Sequence, residues 1–112
     1  MVIEQVIFER LSKTMSVPVF TEEPHEKPDE YVLFEKVGGR ESDYLRSATI
    51  AFQSFSTSLF GASCLNEITK HAVQGLVECQ EIAGVKLNSD YNFTDLDMKR
   101  YRYQAIFDIT HY

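Results

Sequence analysis

Residues 85–109 read VKLNSDYNFTDLDMKRYRYQAIFDI, and the fold turns on the second half of this stretch. Tyr101, Tyr103, Ala105, Phe107 and Ile109 fall on one face of an extended chain, while Arg102, Gln104, Asp108 and Thr110 fall on the other. Successive side chains point to opposite faces of a strand, so this period of two predicts a strand with one face against a core. Upstream, Gly84 breaks the chain and Val85-Lys86-Leu87 predicts a second, shorter strand. The polar residues 88–99 between them predict a loop, in which Asn88, Ser89, Asp90 and Asn92 have side chains suited to bonding nearby backbone groups. That segment is either a plain connection, or a place where carboxylates, amides and aromatics meet in a site.

Working back from this strand, Leu59, Ala62, Leu65, Ile68, Ala72, Val73, Leu76 and Val77 recur in steps of three and four. The spacing predicts a helix over about 59–79, with Ser56, Thr57 and Ser58 offering N-cap oxygens. Two β-rich runs precede it, Tyr31 to Val37 and Ala48 to Phe55, with Gly38-Gly39 ending the first. They predict a hairpin whose tip lies around Gly39 to Leu45. The acidic, proline-bearing stretch TEEPHEKPDE, residues 21–30, predicts an exposed connection. Before it, Val17-Pro18-Val19-Phe20 suits an edge strand only, because proline has no N–H to give to a ladder. Val2, Ile3, Val6, Ile7 and Leu11 mark one face of an N-terminal helix over about 2–14. The expected architecture is a single α+β domain, residues 1–112, with an antiparallel or mixed sheet of four to five strands and two helices packed on it.

With 112 residues, 44% of them hydrophobic, the chain has material for one core and not for two. Its net charge of −6 and pI near 5.0 lack the basic footprint of a nucleic-acid binder. Lys99, Arg100 and Arg102 do cluster, but Asp95 and Asp97 stand just upstream. The N-terminus, broken by Glu4, Glu9 and Arg10, is unlike a signal peptide, and no apolar run approaches the roughly 20 residues that span a bilayer. A soluble protein that stays in the cytoplasm where it is made is expected, with no membrane partner. Cys64 and Cys79 are expected on one helix as buried thiols, about 22 Å apart along its axis and out of reach of a disulfide.

Little in the sequence supports catalysis. The three histidines, His25, His71 and His111, belong to no HExxH pattern, and no CxxC, GxGxxG or phosphate-binding loop is present. Asp90, Asp95 and Asp97 lack the central glycine and terminal glutamate of a calcium loop. No enzyme activity, cofactor or metal is expected. An acidic, aromatic-rich domain with an edge strand and long hairpin loops fits an assembly subunit better, since edges and projecting loops are ready-made contact elements.

The succession VPVFTEEPHEKPDEYVLFEKVGGRESDYLRSATIAFQSF, then a helix, then VKLNSDYNFTDLDMKRYRYQAIFDI, resembles the tail terminator, or tail completion, proteins of long-tailed bacteriophages and prophages. The likeness runs from about Val17 to Thr110 and rests on the order of its parts. These are the V-P-V start, the strand carrying Gly38-Gly39, and Asn88-Ser89 with Tyr91-Asn92-Phe93-Thr94-Asp95 ahead of an R-Y-x strand. The chain departs from the family at Arg40, where a third glycine is common, near Phe55, where a Trp is common, and at Thr94, where a Pro is common.

The resemblance implies a structural virion protein that closes as a ring, usually of six copies, on the finished end of the tail tube. It would stop tube polymerisation and present a joining surface to the head. Its partners would be further copies of itself, the tail tube protein and the head-tail connector protein, with DNA passing through the ring unbound. A connector or stopper closing the portal is the alternative within the same assembly, and a small ligand-binding or regulatory domain the alternative outside it. On the tail terminator reading the 38–46 hairpin and the 88–99 loop project as contact elements. The candidate interface residues are then Gly38, Gly39, Arg40, Tyr44, Tyr91, Phe93 and Asp95. Tyr91 and Phe93 either offer contact surface or fold back as lids on the core.

Overall fold

A computed structural model describes residues 2–42, 44–97 and 100–112. Helix α1 spans Ile3–Thr14 and buries Ile3, Val6, Ile7 and Leu11 of the expected stripe, while Val2, its N-cap residue, is exposed. The strands are β1 (Val19–Phe20), β2 (Tyr31–Ser42), β3 (Leu45–Ser56), β4 (Ile82–Asn92) and β5 (Tyr101–His111). Helix α2, Leu59–Gln74, stands between β3 and β4 and runs on into a single 3-10 turn, Gly75–Glu78. Ser58 caps α2, its Oγ accepting the Gly61 N–H at 2.9 Å. Glycine suits that position because a Cβ there would lie 2.3 Å from Ser56 Oγ.

The five strands form one sheet in the order β1-β2-β3-β5-β4, with β1 parallel to β2 and every other pair antiparallel. This is the expected α+β class. Both helices cover one face of the sheet. Between them and the strands lie Val32 and Phe34 of β2, Ala48, Ile50 and Phe52 of β3, and Ala105, Phe107 and Ile109 of β5, all essentially inaccessible. Phe52 sits edge-on to Phe107, with ring centroids 5.7 Å apart. Ser54, on the same face, bonds Thr69 of α2 at 2.8 Å, so this buried hydroxyl pair is satisfied across the layer.

Four details differ from the sequence expectation. Gly38 and Gly39 lie inside β2, which continues to Ser42; they do not end it. The β2–β3 ladder absorbs them with a bulge at Val37, the extra residue between the Lys36↔Ile50 and Gly38↔Thr49 pairs. The hairpin turn is consequently tighter than expected, joining Ser42 to Leu45; Asp43 lies outside the described residues. Strand β4 runs to Asn92, so Ser89, Asp90 and Tyr91 belong to a ladder and not to a loop, with Asn88 the extra residue of a bulge between Leu87 and Ser89. Finally, α2 proper ends at Gln74, Cys64 is exposed on it, and Cys79 follows the 3-10 turn half-buried against the core; both thiols are free. No described helix is long and apolar enough to cross a membrane.

Candidate functional site

The second face of the sheet carries no helix, yet part of it is closed. Pairing register puts Tyr31 of β2, Gln53 and Phe55 of β3, Arg102 and Gln104 of β5 and Tyr91 of β4 on this face, side by side across four strands. Tyr31 is fully buried, and Phe55, Gln53 and Gln104 are nearly so. Two connections cover them. From one side comes the acidic segment after β1, where Glu23 accepts the Tyr31 hydroxyl proton at 2.6 Å. From the other comes the segment between β4 and β5, where Arg100 lies 5.3 Å over the Tyr31 ring and donates to the Pro28 carbonyl.

Under these covers the side chains form a continuous layer. Tyr31 and Phe55 stack with centroids 4.4 Å apart and planes 10° from parallel, and Phe20 meets Tyr31 edge-on at 5.7 Å. Burial, and then the bond to Glu23, pushes the Tyr31 phenol up to about 12. Beside the rings runs an amide chain: Gln53 donates to Gln104 at 2.9 Å, and Gln104 donates to the Tyr91 hydroxyl at 2.6 Å. Such a chain satisfies polar groups that burial would otherwise penalise. Arg102 closes the layer, donating Nε–H to the Phe93 carbonyl at 2.7 Å and lying 4.5 Å over the Phe93 ring.

The seven candidate residues therefore fall into two groups at opposite ends of a molecule 44 Å long. Tyr91, Phe93 and Asp95 belong to the closed end. Tyr91 and Phe93 meet edge-on at 5.8 Å, about 40% exposed each, so they fold back on the sheet and still show one side to solvent. Asn92 Oδ1 takes the Thr94 N–H and hydroxyl, the local turn expected of it, and Asp95 Oδ1 takes the Asp97 N–H in a second such turn. Of the stretch 88–99, residues 88–92 belong to β4 and Phe93 gives its N–H to the Arg102 carbonyl at 2.9 Å, while Met98 and Lys99 lie outside the described residues. Asp90 is on the helix face, bonded to Lys70 at 3.1 Å, and does not converge with Asp95 and Asp97.

Gly38, Gly39, Arg40 and Tyr44 belong to the hairpin end. Tyr44 is 92% exposed beside Leu45. Gly38, Gly39 and Arg40 border a cleft of about 680 Å³ between the start of α1 and the β2–β3 hairpin, which Lys36, Glu41, Arg46 and His111 also line. Cation and carboxylate alternate there, as in the Arg46–Glu41 pair at 3.5 Å. His25 and His71 are exposed, and among the described residues no three His, Cys, Asp or Glu side chains gather as metal ligands.

The sequence reading did not identify the pairing of Arg100 and Arg102 with Tyr31 and Phe55. Its one local signal is the Arg100, Arg102, Gln104 spacing of two, which puts three polar groups on one strand face. No protein-family model matches the chain, and no curated protein matches it.

Proposed function

We propose that this chain is a tail terminator subunit of a long-tailed bacteriophage or prophage. Copies would close as a ring, with six expected, on the head-proximal end of the tail tube, halting its growth and offering a surface to the head-tail connector. One observation carries this reading beyond the family resemblance: the sheet is open along two opposite edges. Strand β1 pairs with β2 only at Val32 and Leu33, so among the described residues β2 has no outer neighbour from Phe34 to Ser42. Among the described residues strand β4 likewise has no outer neighbour along Ile82–Asn92.

Unpaired strand edges invite a further strand. Because β2 and β4 run in opposite directions, a second copy laid head to tail would meet the first in an antiparallel junction. Contacts between two different patches generate a closed ring when the rotation between copies closes. The exposed apolar groups at the two ends, Tyr44 and Leu45 at one and Tyr91, Phe93 and Leu96 at the other, supply separate surfaces for tube and connector. The net charge of −6, repeated around a ring, keeps DNA passing through the opening from adhering.

The test is capping in vitro. Tube protein encoded in the same genome is polymerised with and without this chain, and tube lengths are measured by negative-stain microscopy. Sub-stoichiometric addition should stop elongation, and the Tyr91→Ala, Phe93→Ala double variant should cap less well while keeping its circular dichroism. Unchanged tube lengths at saturating concentration would overturn the proposal.

A further inference from the structure

At the closed end of the helix-free face, two guanidiniums converge on a cavity of about 310 Å³, walled by Glu23, Lys27, Phe55, Asp95, Arg100 and Arg102. Each lies over an aromatic ring and gives a hydrogen bond to a backbone carbonyl. Arg100 rests on Tyr31 and gives a hydrogen from Nη2 to Pro28 O, while its Nε is buried and finds no acceptor among the described residues. Arg102 rests on Phe93 and Phe55 and uses Nε for Phe93 O, with only a long 3.5 Å contact from Nη1 to Gln53. The carboxylates at the cavity are occupied elsewhere. Glu23 holds the Tyr31 hydroxyl at 2.6 Å and lies 3.9 Å from Lys27, and Asp95 holds the Asp97 N–H at 3.0 Å. Among the described residues neither arginine has a carboxylate within 4.0 Å.

Two guanidiniums set over aromatic rings, neither with a carboxylate partner among the described residues, stand out in a chain that carries more acids than bases. We propose that this cavity is a receptor for a single carboxylate, the head group of an aspartate, a glutamate or a small organic acid. The charges around it set the ligand class. Lys27, Arg100 and Arg102 against Glu23 and Asp95 leave one positive charge, which a monocarboxylate neutralises. A phosphate dianion would overfill the site between two fixed carboxylates. The guanidinium fork matches a carboxylate in two parallel hydrogen bonds, and the Phe55 ring covers one side of the cavity. The volume lies near the lower limit, about 300 Å³, of small-molecule pockets, which suits one short side chain. The site does not depend on the tail terminator reading.

The experiment follows the Arg100 and Arg102 Nε–H signals of the full chain by NMR at constant ionic strength. The probes are N-acetyl-glutamate α-amide, N-acetyl-glutamine α-amide and inorganic phosphate. The glutamate probe should shift both signals saturably, the uncharged glutamine probe should not, and phosphate should bind more weakly. Arg102→Gln should weaken binding roughly tenfold or more, the loss expected for a charged hydrogen bond. Lys27→Gln removes an exposed cation without touching the aromatic layer, so that variant stays folded and should weaken binding by about two- to fivefold. If raising the protein concentration alone shifts the same signals, and the probe reverses the shift, the carboxylate comes from a second copy. If concentration has no effect, it comes from another partner or a free acid; both cases retain the site. An equal response to the glutamine probe, tighter binding of phosphate, or binding unchanged by Lys27→Gln would overturn the proposal.

Discussion

Cutting Phe55 to alanine tests whether the helix-free face is covered in solution. On an open sheet face this side chain would be half in water, and its loss would cost little. In the structure it is 3% exposed, stacked at 4.4 Å on Tyr31, and lies 5.6 Å under the Arg102 guanidinium. Truncating a buried Phe to Ala costs about 3–5 kcal/mol, and the lost stack and cation contact fall within that range. Because Phe55 also borders the 310 Å³ cavity, one side of it has fewer atoms to lose, so the lower end applies, about 3 kcal/mol. A domain of this size is stable by about 5–15 kcal/mol, so the variant should still fold. Urea unfolding followed by circular dichroism should then show the midpoint falling by roughly 1–3 M, at slopes of about 1–3 kcal/mol/M. A loss below about 1 kcal/mol would refute the reasoning, since the two connections would then not be covering the sheet.

On the opposite face, Phe107→Ala should cost about 3–5 kcal/mol in the same assay, because the ring is fully buried against Phe52 and the helices; a loss under about 1 kcal/mol would mean the faces of β5 are reversed. The Tyr31 phenol keeps its proton in the folded chain up to about 12, whereas the unfolded chain loses it near 10.0. The folded state's advantage is therefore complete below pH 10.0 and disappears as the pH rises toward 12. Wild-type stability should fall across that window by up to roughly 2–3 kcal/mol more than that of Tyr31→Phe, and equal slopes for the two proteins would contradict the burial of this hydroxyl. The isolated protein, at net charge −6, should not retard duplex DNA in a gel at physiological salt. Salt-sensitive micromolar binding would instead make Arg100 and Arg102 phosphate contacts.

The legible parts of this fold are those whose partners are implied by local spacing. The alternation in β5 foretold the burial of Ala105, Phe107 and Ile109, and the three-and-four spacing foretold the inner face of α1 but only part of that of the expected 59–79 helix. There Ala62, Leu65 and Val73 are buried as expected, Leu59, Ile68 and Val77 are exposed, and Asn66 and Thr69 face the core instead. Gly38-Gly39 misled because glycine is a turn residue by propensity, whereas here the long β3 partner supplies a ladder and a bulge takes up the irregularity. The polar half of β4 misled for a related reason. Asp90 is satisfied by Lys70 on α2 and Tyr91 by Gln104 on β5, partners that no local window contains. The candidate site was half visible. Tyr91 and Phe93 stand out as aromatics in a polar stretch, but Arg100 and Arg102 read as surface charge until the fold brings Pro28, Tyr31 and Phe55 beneath and beside them.

Deleting the gene and imaging the lysate by negative-stain electron microscopy tests the tail terminator proposal most directly. A tube of identical rings presents the same unsatisfied contacts at its growing end after each addition, so it grows until a subunit with a non-propagating outer face occupies that end. The account predicts tails of irregular, excessive length lying beside filled, unjoined heads, and restoration of uniform length when the gene is supplied in trans. Tails of normal length beside heads that have lost their DNA would contradict it and assign the chain to the portal connector instead.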